Sequence, residues 1–244
     1  MALFRKYDHI FFDLDNTLWD FDRNARLALE ETFYSIGTPA LLPAFEHFYA
    51  FFIKVNHRLW EAYRKKKITQ QLLIRERFAQ TLGHFGLNGT DPENLNAYYL
   101  QQMPAYSHLV EGAEETLIYL QAQGYHLHVI TNGLRSVQQS KLVNSKLNRF
   151  IEKLICSEDA GTPKPDKAIF RHALKNCNAR KNRSLMIGDN WETDIEGARQ
   201  AGINAVYFLK NTCLPESTPN HILPWQVSGA VPRIRELTEL IETL

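Results

Sequence analysis

Acidic side chains follow two short apolar segments of this 244-residue sequence. Asp13 and Asp15 come directly after the apolar run 9–12. Asp189 follows the run 184–187 after a single glycine. Apolar runs this short, without alternation, are typical of strands that are buried on both faces of a parallel sheet. Because ligands bind at the carboxyl ends of such strands, the three carboxylates are predicted to meet at one edge of a sheet.

Hydrogen-bonding and basic residues follow two further segments of the same kind. Thr131 and Asn132 come after the run 125–130. Lys164 lies on the loop beyond the run 153–156. Hydroxyl, amide and ammonium groups can compensate the charge on the equatorial oxygens of a phosphoryl group. Together with the carboxylates, these residues supply the functional groups that bind a divalent cation and a phosphate.

The carboxylates of this predicted site indicate metal binding and phosphoryl transfer. Crowded carboxylates repel each other, so a bound cation is needed to make their joint ionisation favourable. Mg²⁺ prefers oxygen ligands, which Asp13, Asp189 and the backbone carbonyl of Asp15 can supply. A carboxylate held in this way can attack phosphorus and form an aspartyl-phosphate. Asp15 is then available to protonate the leaving alcohol and to deprotonate the attacking water.

A parallel sheet is required to bring these residues together, and the rest of the sequence predicts one. The predicted strands are 9–12, 125–130, 153–156, 184–187 and 205–209. The helical patterns between and after them are 113–123, 135–146, 166–176, 192–201 and 232–244, with a loop at 212–229. Strands that alternate with helices indicate right-handed βαβ crossovers. The prediction is an α/β fold with a Rossmann-like parallel sheet.

Residues from about 20 to 105 interrupt this alternation with helical periodicity alone. The predicted helices are 22–36, with Asp22 as the N-cap, 43–65, 69–82 and 92–103. The simplest account is an all-helical insertion between the first strand and the rest of the α/β core. The predicted organisation is therefore a core of residues 1–18 and 107–244 and a helical domain of residues 19–106.

Composition excludes several classes of partner. Lys plus Arg number 28 and Asp plus Glu number 27, so the net charge of +1 gives no field that favours a nucleic acid polymer or an anionic membrane. The sequence has no apolar stretch near the ~20 residues of a membrane span and no signal-peptide core at its N-terminus. Three scattered cysteines without metal-ligand spacing suit a reducing compartment. We therefore expect a cytoplasmic protein without nucleic-acid or membrane partners.

Four polar motifs of the sequence resemble those of the haloacid dehalogenase (HAD) superfamily and occur in the family's order. They are the segments 11–18, 130–133, 164–166 and 188–194. Each lies at a predicted strand end or on the loop after it. By this resemblance Asp13 is the nucleophile and Asp15 is the general acid and base. The resemblance also implies that the helical domain, residues 19–106, is a cap that selects the substrate.

The resemblance implies a cofactor and a set of binding residues. The cofactor is Mg²⁺, with Mn²⁺ as the alternative. The implied metal ligands are Asp13, the backbone carbonyl of Asp15, and Asp189. The residues implied to bind the phosphoryl group are Thr131, Asn132 and Lys164. Asp194 is implied to orient a metal-bound water or Lys164 instead of acting as a direct ligand.

Substrate class is indicated by a second, narrower resemblance. The segment 17–22 and the residues around the other three motifs resemble the pyrimidine 5′-nucleotidases of the superfamily. This implies a small phosphorylated metabolite as the partner, a nucleoside monophosphate and first of all a pyrimidine. Trp19 and Phe21 follow the catalytic loop and are candidates to stack on a base, with packing in the interior as the alternative.

Other activities share parts of this pattern. Asp15 favours phosphoryl transfer over dehalogenation, because the family's dehalogenases lack this carboxylate and no leaving alcohol needs a proton there. A sugar-phosphate phosphatase, a phosphoglycolate phosphatase or a phosphomutase of the same fold would carry the same residues. A catalytically silent protein that binds a phosphorylated ligand belongs to another class. It would predict the loss of Asp13 or Asp15, and both are present.

Overall fold

The computed structural model describes residues 6–37, 43–210 and 231–244. The chain divides into two compact units, Met1–Asp20 with His108–Leu244 and Phe21–Ser107. The boundaries between these units follow residues 20 and 107. The boundaries predicted from the sequence follow residues 18 and 106. The predicted loop 212–229 lies outside the described residues.

The second unit is helical throughout its described part. Its helices are α1 (Phe21–Tyr34), α2 (Phe45–Arg64), α3 (Gln70–His84) and α4 (Pro92–Gln102), followed by a 3₁₀ turn (Met103–Ala105). Aromatic side chains fill its interior, with the rings of Phe52 and Phe78 4.9 Å apart. The predicted N-cap of the first helix is wrong, because α1 begins one residue earlier and contains Asp22 in its first turn.

The first unit contains a parallel sheet, as predicted. Its strands are β1 (His9–Phe12), β2 (His126–Thr131), β3 (Lys153–Cys156), β4 (Ser184–Gly188), β5 (Asn204–Phe208) and β6 (Arg233–Ile234). Within the described residues they lie in the order β3-β2-β1-β4-β5-β6, and every neighbouring pair is parallel. The chain runs from β1 through β2 to β3 on one side and then crosses to β4 on the other side of β1, so the strand order reverses at β1. This reversal is where an open α/β sheet binds its ligands.

Helices connect and cover these strands. They are α5 (Ala113–Ala122), α6 (Arg135–Asn144), α7 (Ser157–Ala160), α8 (Lys167–Asn176), α9 (Gly197–Gln200) and α10 (Glu239–Thr243), with 3₁₀ turns at Leu147–Arg149 and Lys181–Arg183 and a π-helical segment at Trp191–Glu196. Ile10, Phe11 and Phe12 of β1 are all fully buried. Since successive side chains of a strand point to opposite faces, both faces of the sheet are covered at its centre. None of the described helices has the length and apolarity that crossing a bilayer requires.

Two predicted helices of this unit need correction. The prediction of one helix over 232–244 is wrong in its first half, because residues 233–234 form β6 and the helix begins at residue 239. Leu209 N–H donates to the Ile234 carbonyl at 2.8 Å, and the Ile234 side chain is buried, so pairing at the sheet edge prevails over helical periodicity. The predicted helix 192–201 is a π-helical segment that runs directly into α9.

A buried histidine in β2 makes the stability of the first unit depend on pH. His128 is 1% exposed, and its Nε2 lies 3.0 Å from the Nδ1 of His9. Burial, followed by the positive charges of His9, His126 and Lys153, lowers the pKa of His128 to about 3. At a pH below about 6.5 the unfolded chain binds a proton that the folded chain excludes, so acid destabilises the fold.

We therefore expect His128→Phe to flatten the pH dependence of stability. The unfolding free energy of the wild type should fall by about 2 kcal/mol more than that of the variant between pH 7 and pH 5. Urea unfolding at the two pH values measures this difference. The exposed His57→Phe is the control and should keep the wild-type slope. Equal slopes for His128→Phe and the wild type would contradict the prediction.

Candidate active site

Strand ends around the reversal point bring the predicted site residues together. Phe12, the last residue of β1, is in register with Val129 of β2 and Ile187 of β4. Asp13 N–H then donates to the Ile187 carbonyl at 2.9 Å, which extends β1 alongside β4. Asp189 directly follows β4. The sheet register therefore places the first and fourth motifs side by side.

Lys164 lies at the centre of this site. Its Nζ donates to Asp13 Oδ1 at 2.5 Å, to Asp194 Oδ1 at 2.7 Å and to the Ile130 carbonyl at 2.8 Å. Lys164 and Asp194 are 2% and 1% exposed. Burial alone would lower the pKa of Lys164, but the two carboxylates raise it above its ordinary value, so the side chain is an ammonium. A buried positive charge thus sits against the predicted nucleophile.

Three carboxylates next to this ammonium could hold a metal ion. One oxygen each of Asp13, Asp189 and Asp194 lies within 4.8 Å of the others. Thr17 Oγ1 donates to Asp189 Oδ1 at 3.2 Å and helps to orient that carboxylate. Oxygen donors of this kind suit a hard cation such as Mg²⁺. The residues present therefore fit the metal that the sequence predicts.

The contacts of Asp194 bear on its predicted role. Its Oδ1 accepts from Lys164 Nζ and from Thr193 Oγ1 at 3.2 Å, and its Oδ2 accepts from Asn190 N–H at 3.0 Å. A Cβ on Gly188 would lie 2.6 Å from the Cβ of Asp194, so glycine is needed for this close approach. Although Asp194 belongs to the carboxylate cluster, hydrogen bonds from the protein engage both of its oxygens. Asp194 therefore contacts Lys164 directly, and its role in orienting Lys164 or a metal-bound water stays a prediction.

Burial opposes the ionisation of the cluster. It raises the pKa of Asp13 well above the ordinary range; Lys164 opposes this shift, and Asp194 and Asp189 add to it. Burial, followed by the charge of Asp194, raises the pKa of Asp189 to about 7. A cation would favour the ionised forms of both acids. The electrostatics therefore support metal binding at this edge of the sheet.

The second motif contributes one hydroxyl and one amide. Thr131 Oγ1 accepts from Gly133 N–H at 3.1 Å and from Gln138 Nε2 at 2.7 Å, which leaves its own proton to donate. The Asn132 side chain donates from Nδ2 to the Lys164 carbonyl at 3.0 Å and accepts from Lys164 N–H at 2.7 Å. Asn132 therefore holds the backbone that carries Lys164. Its contact with a phosphoryl group stays a prediction.

The sequence analysis did not identify Lys141 and Gln138, two residues that contact Asp15. Asp15 Oδ1 accepts from Lys141 Nζ at 2.6 Å, and Asp15 Oδ2 accepts from Gln138 Nε2 at 3.0 Å. Both donors lie on α6, where residues 138, 141 and 142 are buried together. The sequence does contain a signal for them. Gln138 lies three residues before Lys141 and four before Leu142, so both polar residues share one helix face with an apolar residue.

The two candidates for base stacking differ in their surroundings. Trp19 is fully buried, and Lys141 Nζ lies 4.1 Å from its ring centroid. The structure therefore leaves Trp19 no exposed face for a base, and packing in the interior, the alternative, describes it. Phe21 is the first residue of α1 and is partly exposed. Its contact with a substrate stays a prediction.

Sequence comparison identifies the family. The sequence model of the family "haloacid dehalogenase-like hydrolase" matches residues 7–202, which include all four motifs. The chain belongs to the haloacid dehalogenase-like hydrolase family. Its parallel sheet and its helical second unit agree with the predicted α/β fold that carries a helical insertion.

Curated relatives and a solved structure narrow the class of enzyme. Pyrimidine 5′-nucleotidase PynA of Streptococcus pneumoniae is 32% identical over 83% of this chain and 84% of its own length. Pyrimidine 5′-nucleotidase YjjG of Escherichia coli is 30% identical over 97% and 98%. A glyceraldehyde 3-phosphate phosphatase of Pyrococcus abyssi is 33% identical over 82% and 80%. The magnesium-bound crystal structure of the HAD-hydrolase YfnB from Bacillus subtilis superposes with a TM-score of 0.82, at 27% identity and 98% coverage of both chains. The chain is similar to hydrolases of phosphoric monoesters.

Proposed function

We propose that this protein is a Mg²⁺-dependent phosphomonoesterase that works through an aspartyl-phosphate on Asp13. The observation that carries the proposal is the buried contact of Lys164 Nζ with Asp13, beside Asp189. An ammonium against a carboxylate nucleophile can neutralise the charge on an arriving phosphoryl group. Asp15 supplies the second carboxyl that ester hydrolysis needs, and its side chain is 28% exposed.

Each residue has one role in the proposed reaction. Asp13 attacks phosphorus through a carboxylate oxygen, the ester P–O bond breaks, and Asp15 gives its proton to the leaving oxygen. Asp15 then takes a proton from water, which attacks the aspartyl-phosphate and releases inorganic phosphate and free Asp13. Lys164 and the Thr131 hydroxyl compensate the charge of the phosphoryl oxygens in both steps.

Asp13, Asp189 and the backbone carbonyl of Asp15 would hold the metal, and Mn²⁺ could replace Mg²⁺. The ion would supply positive charge that makes joint ionisation of the carboxylates favourable and polarises the phosphoryl group. Because both Asp194 oxygens are engaged by the protein, we expect Asp189→Ala to weaken Mg²⁺ binding at least about tenfold more than Asp194→Ala. Calorimetric titration of the folded variants measures this. Equal losses would make Asp194 a metal ligand.

The proposed substrates are nucleoside 5′-monophosphates, with pyrimidine nucleotides first. The names of two relatives that are 30% and 32% identical support this choice. A sugar-phosphate phosphatase is the second candidate, supported by the Pyrococcus abyssi relative. The proposed cellular location is the cytoplasm, where such metabolites occur. The free thiols of Cys156 and Cys177 are compatible with such a reducing compartment.

A substrate panel tests both levels of the proposal. Phosphate release is measured with Mg²⁺ and with chelator for pyrimidine and purine nucleoside monophosphates, glyceraldehyde 3-phosphate and phosphoglycolate. We expect Mg²⁺-dependent release, with the highest kcat/KM on a pyrimidine nucleotide. If the sugar phosphates rank equal or higher, the nucleotidase assignment is wrong and the phosphatase assignment stands. If no phosphate ester is hydrolysed with any divalent cation, the phosphatase assignment is wrong as well.

A further inference from the structure

Helix α6 holds the Asp15 carboxylate by both of its oxygens. Lys141 Nζ donates to Oδ1 at 2.6 Å, and Gln138 Nε2 donates to Oδ2 at 3.0 Å. Gln138 is 1% exposed and Lys141 is 2% exposed, whereas the Asp15 side chain keeps 28% of its surface open. Two buried donors therefore fix a carboxylate that a substrate can still reach.

Lys141 is itself fixed at its charged end. A buried ammonium is costly unless it is paired, and Asp15 is its carboxylate partner. Its Nζ also lies over the ring of the buried Trp19, 4.1 Å from the centroid, where the π-electrons attract a cation. An otherwise flexible four-carbon stem is thus held between a carboxylate and an aromatic face.

Gln138 connects Asp15 to the second motif. The same Nε2 that donates to Asp15 also donates to Thr131 Oγ1 at 2.7 Å. A Cβ on Gly133 would lie 2.5 Å from that Nε2, so glycine at this position admits the Gln138 side chain. The carboxyl of Asp15 and the hydroxyl of Thr131 are therefore linked through one amide group.

We infer that Lys141 and Gln138 are positioning residues that set the place of the Asp15 carboxyl for proton transfer to the leaving oxygen. The inference rests on the proposed function, in which Asp15 is the general acid. Proton transfer requires the donor within hydrogen-bond reach of the leaving oxygen, and small misplacements are costly in rate. A carboxyl with 28% of its side chain exposed would sample other rotamers without these two contacts.

Leaving groups of different basicity separate positioning of Asp15 from a general structural role. Release of the leaving group is followed in single turnovers with enzyme in excess, so the later attack by water does not contribute. p-Nitrophenyl phosphate releases a weakly basic oxygen that needs no proton, whereas an alkyl phosphate such as uridine 5′-monophosphate does need one. In Lys141→Met and Gln138→Leu we expect alkyl release to fall roughly 10- to 100-fold and nitrophenol release to fall less than about threefold.

Matched variants and a structural readout complete the test. Gln139→Leu on the exposed side of α6 and the exposed Lys175→Met should keep wild-type rates on both esters. Crystal structures of the metal-free Lys141→Met and Gln138→Leu proteins should show Asp15 in a changed or second rotamer, which also verifies folding. Equal losses on the two esters, or an unmoved Asp15 with unchanged rates, would overturn the inference. Failure of the wild type on both esters would instead overturn the proposed function.

Discussion

Replacing Asp13 by Asn is expected to lower phosphate release by roughly 10³-fold or more, the largest loss of any single substitution in the site. The amide has nearly the same shape as the carboxylate but is no nucleophile toward phosphorus. Steady-state release of phosphate from p-nitrophenyl phosphate with Mg²⁺ measures the effect. This substrate needs no protonation of its leaving group, so a loss of activity reports on the nucleophile itself.

The control for this substitution is another Asp-to-Asn change. Asp91 is the N-cap of α4, and Asn caps a helix about as well as Asp, so Asp91→Asn should keep both fold and activity. Thermal unfolding shows whether Asp13→Asn is folded. A folded Asp13→Asn protein with more than about a tenth of wild-type activity would exclude Asp13 as the nucleophile.

Lys164→Met is expected to lower both activity and stability. The substitution leaves the buried Asp13 and Asp194 without the ammonium that both of them contact. Loss of one partner from a buried ion pair typically costs about 3–5 kcal/mol of unfolding free energy. Urea unfolding of the metal-free protein at pH 7 measures the loss, and the exposed Lys175→Met serves as the matched control.

A second substitution separates the two effects of Lys164. Lys164→Met combined with Asp194→Asn removes one of the uncompensated acids, so part of the lost stability should return. Activity should not return, because no ammonium then faces the phosphoryl group. A Lys164→Met protein as stable as the wild type would show that Lys164 does not neutralise the cluster.

Much of the sheet, and the positions of several site residues, could be predicted because short segments of the sequence determine them. A buried parallel strand reads as a short apolar run, and the residue after it lies at the ligand-binding edge. The positions of Asp13, Asp189 and Thr131 at the ends of strands were predicted in this way, and their roles stay predictions. Lys164 was placed on the correct loop, and the structure adds its contact with Asp13 over a separation of 151 residues.

The partners of Asp15 could not be derived in the same way. Helical periodicity predicts α6, but it does not say what a polar residue on the buried face will meet. Lys141 and Asp15 are 126 residues apart, and only the packed α6 brings them together. Trp19 shows the same limit, because an aromatic residue after a catalytic loop can contact a ligand or pack inside. In the structure the Nζ of Lys141 lies over its ring, and the sequence does not predict this contact.

The strand β6 could not be predicted from the sequence either. Residues 232–244 have helical periodicity, but residues 233–234 pair with β5 instead. The free N–H and C=O groups of an edge strand offer a pairing partner that a local pattern does not reveal. Element type near the end of a sheet therefore depends on tertiary pairing more than on periodicity. The same competition does not arise for β1, which has neighbours on both sides.

Trapping the covalent intermediate tests the central claim most directly. The enzyme is mixed with substrate and Mg²⁺, quenched within the first turnover, and treated with borohydride, which reduces an acyl phosphate to the alcohol and releases phosphate. Peptide mass spectrometry should then find homoserine at position 13 in the wild type and not in Asp13→Asn. A wild-type enzyme that turns over substrate while residue 13 stays aspartate at every quench time, with a trapped acyl phosphate at another carboxylate, would contradict the claim.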